Sequence, residues 1–187
     1  MSKLVVFLGP PGAGKGTQAL KIAEQYNLTH ISTGDMLRDH VAKLTDLGKR
    51  AKSLLDEGKL VPDDLVIKML IARLDEEDSF SGAILDGFPR TLKQAESLDK
   101  IDTNFPVKKV IVFEADRKEL VKRILLRGET SGRSDDTEES ITVRLDVYEE
   151  DTKPLIKFYE KKGIVVKINA VGDVGKIYQL ISKEFEI

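Results

Sequence analysis

The run Leu4-Val-Val-Phe-Leu8 is five consecutive apolar residues, rich in β-branched and aromatic side chains. It predicts a strand buried on both faces. Beyond it the apolar spacing changes: Ala19, Ile22, Ala23 and Tyr26 recur at helical intervals, so a helix follows. Residues 28–32 predict a second strand, and Thr33 is expected to cap the next helix with Asp35 in its first turn. Residues 39–58 are helical in spacing but weakly apolar, with expected breaks at Gly48 and Gly58, which predicts a satellite lobe outside the main core. Pro62 opens a helix to Leu74 that is apolar nearly all round, through Leu65, Val66, Ile67, Met69, Leu70 and Ile71, and so is expected to be buried. Further strands are predicted over 82–86, 107–115 and 164–170. Helices are predicted over 117–127, over 137–161 with a kink at Pro154, and over 174–185. Strands alternating with helices imply an α/β fold: a five-stranded parallel sheet with helices on both faces, which binds ligands at the carboxyl ends of its strands.

Between the first strand and the first helix lies Gly9-Pro-Pro-Gly-Ala-Gly-Lys-Gly-Thr17. Strand, glycine loop, lysine and helix together form the grammar of a phosphate-binding loop. Glycines let backbone N–H groups turn inward, the helix start adds its unpaired N–H groups, and Lys15 supplies a mobile positive charge. Gly9, Gly14 and Lys15 match the G-x-x-x-x-G-K-[ST] spacing, but Gly16 follows the lysine and Thr17 comes one step late. The usual direct hydroxyl ligand to Mg²⁺ is therefore weakened as an expectation.

Composition narrows the class. A chain of 187 residues suits one domain. The net charge of −2 gives no general reason to bind nucleic acid. Cysteine is absent, so disulfides and thiolate zinc sites are excluded. No apolar run reaches membrane-spanning length, Ser2 rather than glycine follows Met1, and the chain enters a strand at once. The expectation is a soluble, cytoplasmic protein, plausibly a monomer.

Two further features carry chemistry. Asp86 ends the third predicted strand, where a carboxylate associated with Mg²⁺ belongs, and Arg90 and Gln94 follow on one helix face. Arg38, Arg90, Arg127, Arg133 and Arg144 all fall near strand ends. Five arginines with Lys15 suggest two phosphate-bearing ligands, since arginine clamps phosphate oxygens in a planar fork. Residues 128–136 read as a loop with glycines near both ends, able to close and exclude water. The two histidines, His30 and His40, are not at metal-ligand spacing and are assigned surface or capping roles.

GPPGAGKGT (9–17), STGDMLR (32–38), LVPD (60–63), DGFPRT with Gln94, and RGETSGRSDD (127–136) together resemble the adenylate kinases, in their short-lid form. The GKGT departure is itself that family's habit. The resemblance implies a P-loop NTPase-type core spanning 1–187, an AMP-binding helical lobe over 32–61 and a lid over 126–136. It implies reversible phosphoryl transfer from ATP to AMP, giving two ADP. Gly12, Ala13, Gly14, Lys15, Gly16 and Thr17 would hold the ATP phosphates, with Arg123 stacked on the adenine and the Gly172 backbone beside it. Thr33, Arg38, Lys59, Leu60, Val61, Gly87, Phe88, Pro89, Arg90 and Gln94 would hold AMP. Arg127, Arg133 and Arg144 would surround the transferring group, with Lys15 and Arg90. Asp135 and Asp136 would act as lid acids, and Asp86 would orient Mg²⁺ through water, with no direct protein ligand to the metal. Two alternatives stand beside this reading. A UMP/CMP kinase usually has a small apolar residue where Thr33 stands and Asn where Thr91 stands. A nucleotide-binding switch would want an N-K-x-D base reader, which the chain lacks.

Overall fold

The computed structural model describes residues 4–101 and 106–185. Met1 and Ser2, on which the acylation reading rested, lie outside them. The described strands are β1 (Leu4–Leu8), β2 (Thr29–Ser32), β3 (Ala83–Asp86), β4 (Val107–Glu114) and β5 (Val165–Asn169). They form one parallel sheet in the order β2-β3-β1-β4-β5. The β1 strand is central, so the loop that follows it emerges at the middle of the sheet.

Strand alternation sorts the core into two layers. Leu4, Val6 and Leu8 face one side, with helices α4 (Asp63–Leu74), α5 (Leu92–Lys100) and α8 (Pro154–Glu160) supplying Leu70, Leu98 and Tyr159. Val5 and Phe7 face the other, where α1 (Lys15–Tyr26), α6 (Arg117–Ser131) and α9 (Val174–Ser182) supply Ile22, Ile124 and Ile181. Each such aliphatic side chain contributes about 1.5–3 kcal/mol by leaving water, so the strand that launches the loop is firmly anchored.

Several expectations are corrected. Helix α2 (Thr33–Ala42) is capped by Ser32, whose Oγ accepts from Asp35 N at 3.3 Å, not by Thr33. Ser32 has the extended backbone a cap needs, while the Thr33 hydroxyl donates to the Gly87 carbonyl at 2.8 Å. Gly48 lies inside α3 (Asp46–Asp56) and breaks nothing; a Cβ there would collide with the His40 carbonyl, so glycine permits the tight α2–α3 packing. Helix α4 is not buried all round: Val66, Met69, Leu70 and Leu74 face the core and Ile71 is exposed. Helix α6 runs four residues past Arg127 into the expected loop, with Gly132 taking the left-handed cap. The single helix expected over 137–161 is interrupted ahead of Pro154. Helix α7 (Glu138–Val147) passes into a π-turn over Tyr148–Thr152, closed by Lys153 N donating to Tyr148 O, and α8 starts at Pro154. Proline has no N–H to donate and its ring crowds the preceding turn, so the widened turn absorbs it.

Candidate active site

The β1 loop ends at Gly14, whose φ of +84° lets the chain turn into α1. The Lys15 ammonium folds back over the loop, donating to the Gly9 carbonyl at 2.8 Å and the Pro10 carbonyl at 2.9 Å. Burial lowers its pKa to about 8. Asp86 opposes that shift, while Arg90, Arg144 and Arg127 add to it. An ammonium held so reluctantly among cations awaits an anion.

A cavity of about 690 Å³ opens over this loop. Its lining takes in the carboxyl ends of β1 and β3, at Leu8 and Asp86. Thr33, Leu60, Val61 and Gln94 line it, and so do Arg123, Ala170, Gly172, Val174 and Ile177. Lys15, Arg38, Arg90, Arg127, Arg133 and Arg144 line the same cavity. The remaining expected residues, Gly12, Ala13, Gly16, Thr17, Lys59, Gly87 and Pro89, also line it. Phe88 does not; it is fully buried in the core below.

The arginines divide by their partners. Arg127 holds Asp136 through Nε at 2.8 Å and through Nη2, and Arg144 meets the same carboxylate at 2.9 Å. Asp136 is thus a buried strut behind the cavity and does not line it. Asp135 meets Arg144 at 3.0 Å and Arg38 at 3.8 Å. Arg90 donates from Nε to the Gly87 carbonyl at 2.9 Å; burial first, then Arg144, lower its hold on its proton. Burial, Arg38 and Arg127 act likewise on Arg133. Such crowding of guanidinium groups is tolerable where anions are to sit.

Arg133 and Ser134 meet residues of α2 and α3 directly. Arg133 Nη2 lies 3.2 Å from Asp35 Oδ1, which Arg38 also contacts at 2.6 Å. The Ser134 hydroxyl donates to Asp56 at 2.5 Å.

The family model described as adenylate kinase matches residues 7–164. The chain is 45% identical to an adenylate kinase of Thermus thermophilus, over 97% of this chain and 96% of that one. It is 47% identical to that of Thermobifida fusca, over 94% of each, and 48% identical to that of Leptospira biflexa, over 97% and 98%.

The chain belongs to the adenylate kinase family.

Membership makes it a phosphotransferase of adenine nucleotides with a P-loop α/β core. Several cavity residues escaped the sequence reading, His30, Tyr148 and Thr152 among them. His30 is not a surface histidine: it lines the cavity, with Nε2 3.6 Å from Asp86 Oδ2 and no hydrogen-bond partner. His40 lies in the last turn of α2 and caps nothing itself; its Nδ1 is 2.9 Å from the hydroxyl of Thr45, the α3 cap. Tyr148 and Thr152 reach the cavity through the π-turn, and the Thr152 hydroxyl donates to the Arg90 carbonyl at 2.9 Å.

One carboxylate, Asp86, is placed beside the phosphate loop to help hold a divalent cation. Among the described residues no group of three or more metal-ligating side chains exists. Asp86 stands against the phosphate loop: a Cβ on Gly16 would lie 3.3 Å from its Oδ2. Burial would raise the Asp86 pKa, yet His30, Lys15 and Arg90 together hold it below the usual carboxylate range, so the group is ionised. No helix among the described residues is long and apolar enough to cross a membrane.

Proposed function

We propose that this chain catalyses Mg²⁺-dependent, reversible transfer of the γ-phosphoryl group of ATP to AMP, forming two ADP and balancing the adenine nucleotide pool. One observation carries the reading: a lysine and five arginines line one cavity of about 690 Å³ over the phosphate loop. An oxygen of the AMP phosphate forms the new bond to the γ-phosphorus as the bond to the β-phosphate oxygen breaks. That acceptor is already anionic near neutral pH, so no general base is needed. The work is alignment, charge neutralisation and exclusion of water.

The phosphate loop and Lys15 hold the ATP phosphates, and Lys15 follows the migrating group. Arg123 stacks on the ATP base, with the Gly172 backbone at its edge. Arg38 and Arg90 hold the AMP phosphate, and Arg127, Arg133 and Arg144 surround the group in flight. Asp86 would help hold a Mg²⁺ ion bound with ATP, and the ion would supply further neutralisation of the ATP phosphates. Residues 32–61 act as the AMP lobe and 126–136 as the lid. The same reading takes the protein as a cytoplasmic monomer.

Gln94 reads the AMP base. Its Oε1 accepts from Arg90 N at 2.7 Å and its Nε2 donates to Asp63 at 2.8 Å. A carboxamide so held keeps one lone pair and one N–H for the adenine edge. Guanine reverses that donor–acceptor pattern, at about 1–3 kcal/mol per mismatched buried group. A coupled assay with ATP and each monophosphate in turn tests the reading. AMP should be preferred widely over GMP, UMP and CMP, and Gln94→Ala should raise the AMP KM and narrow that preference. Phosphorylation of UMP or CMP as fast as AMP would overturn it in favour of a pyrimidine kinase.

A further inference from the structure

Arg123 lines the cavity from α6, beside Ala170 and near Gly172 in the chain. Its Nε donates to Glu119 Oε1 at 2.7 Å, and its Nη1 donates to the Ala170 carbonyl at 2.9 Å. All the N–H groups of a guanidinium lie in its plane. Bonds made along the edges therefore leave both faces free to stack. One edge bond would leave the plane free to swing about it, whereas two on different nitrogens fix its tilt.

The second anchor is itself well placed. The Glu119 N–H is bound by the α6 cap, Asp116 Oδ1, at 2.9 Å. Glu119 thus sits in the first turn, where the helix dipole favours a carboxylate. Its side chain is 30% exposed, so removing it should leave the core intact. Ala170 is fully buried and its own N–H is bound to the Glu114 carbonyl, so the opposite anchor is rigid.

We propose that Glu119 is a positioning residue for the donor nucleotide, holding the Arg123 guanidinium flat as the surface on which the ATP base stacks. This rests on the proposed role of Arg123 as base platform. An ordinary i,i+4 ion pair on a partly exposed helix face would do nothing for nucleotide binding, and that contrast makes the idea testable.

The experiment is steady-state kinetics of wild type, Glu119→Ala, Glu119→Gln, Arg123→Ala and the Glu119→Ala/Arg123→Ala double variant, with ATP varied at saturating AMP and then the reverse. Thermal unfolding of each protein runs alongside. Glu119→Ala should raise the ATP KM about fivefold, the scale of one cation–π contact, with kcat, AMP KM and melting temperature essentially unchanged. Glu119→Gln, whose amide oxygen still accepts from Nε, should recover most of the loss. In the Arg123→Ala background Glu119→Ala should add nothing. If Arg123→Ala raises the ATP KM but Glu119→Ala does not, or if the Glu119→Ala effect persists undiminished in the double variant, the positioning role is overturned while the platform stands. If Arg123→Ala leaves the ATP KM alone, the platform fails and the inference with it.

Discussion

Replacing Lys15 with methionine keeps the length of the side chain and removes its charge. The folded protein holds this ammonium under protest, its pKa lowered from 10.5 to about 8, chiefly by burial. A depression of that size corresponds to about 3 kcal/mol against folding while the proton is bound. Methionine relieves it, but leaves the Gly9 and Pro10 carbonyls without their donor, a loss of about 1 kcal/mol each. The variant should therefore be more stable than wild type near neutral pH by about 1 kcal/mol, or about 2–4 °C in Tm for a chain of this size.

The pH dependence is sharper. Below pH 8 folded and unfolded wild type both carry the proton, and the fold bears the whole penalty. Between about 8 and 10.5 the unfolded chain binds more protons than the folded one, so wild-type stability rises relative to the variant. Above 10.5 the penalty is gone. Urea unfolding of both proteins from pH 7 to pH 10.5 reads the difference directly, and titrations common to both, such as those of Tyr148 and Tyr159, cancel. Parallel stability curves across that window would refute the account of Lys15 as a desolvated cation. The same variant should lose kcat far more than it gains ATP KM, because the charge acts on the migrating group.

Two further outcomes follow from the contacts between the proposed lobe, the proposed lid and α7. Gly58 has φ +75°, and a Cβ there would lie 2.7 Å from the Ser140 carbonyl and 2.8 Å from Arg144 Cγ. Gly58→Ala should hold the lobe away from α7, raising the AMP KM and lowering kcat by about tenfold, with ATP KM near wild type and about 1 kcal/mol lost in unfolding. Unchanged AMP kinetics would show that this approach is dispensable. Arg133→Lys keeps the charge but loses the planar fork, so activity should fall on the order of tens-fold with melting barely moved; a mild effect would return Arg133 to the solvated surface.

The sheet was legible because its signals are local. An unbroken apolar run, a glycine loop and a change of period sit side by side in residues 4–26, and the other strands end in turn residues. What escaped depended on strand order or on distant partners. His30 reads as a polar residue on a half-buried strand, and only the adjacency of β2 and β3, with Ser32 paired to Asp86, brings it near that carboxylate. Gly128 reads as a hinge, yet it lies in α6 because Asp136 packs against it: a Cβ would meet the Asp136 carbonyl oxygen at 3.1 Å. Pro154 announces a defect in the helix without saying which kind, and the widened turn that results brings Thr152 to Arg90.

The sequence also names all five arginines but not how firmly each is held, and that distinction bears on how the site works. Asp136 has a fully buried side chain gripped by Arg127 and Arg144. Withdrawing both partners would strand a buried charge, at about 3–5 kcal/mol, so an incoming phosphate does not displace it from the pair. Asp136 therefore sets where Arg127 and Arg144 point. Asp35 is 56% exposed and is shared by Arg38 and Arg133. Water can take over the hydration of such a carboxylate, and an exposed pair contributes at most about 1 kcal/mol. A phosphate, with more charge and more acceptor oxygens, can win Arg38 and Arg133 from it. In this proposal Asp35 keeps two arginines near their task until the nucleotides arrive, while Asp136 fixes two others throughout. The cations that must move and those that must not are separated by the burial of their acids.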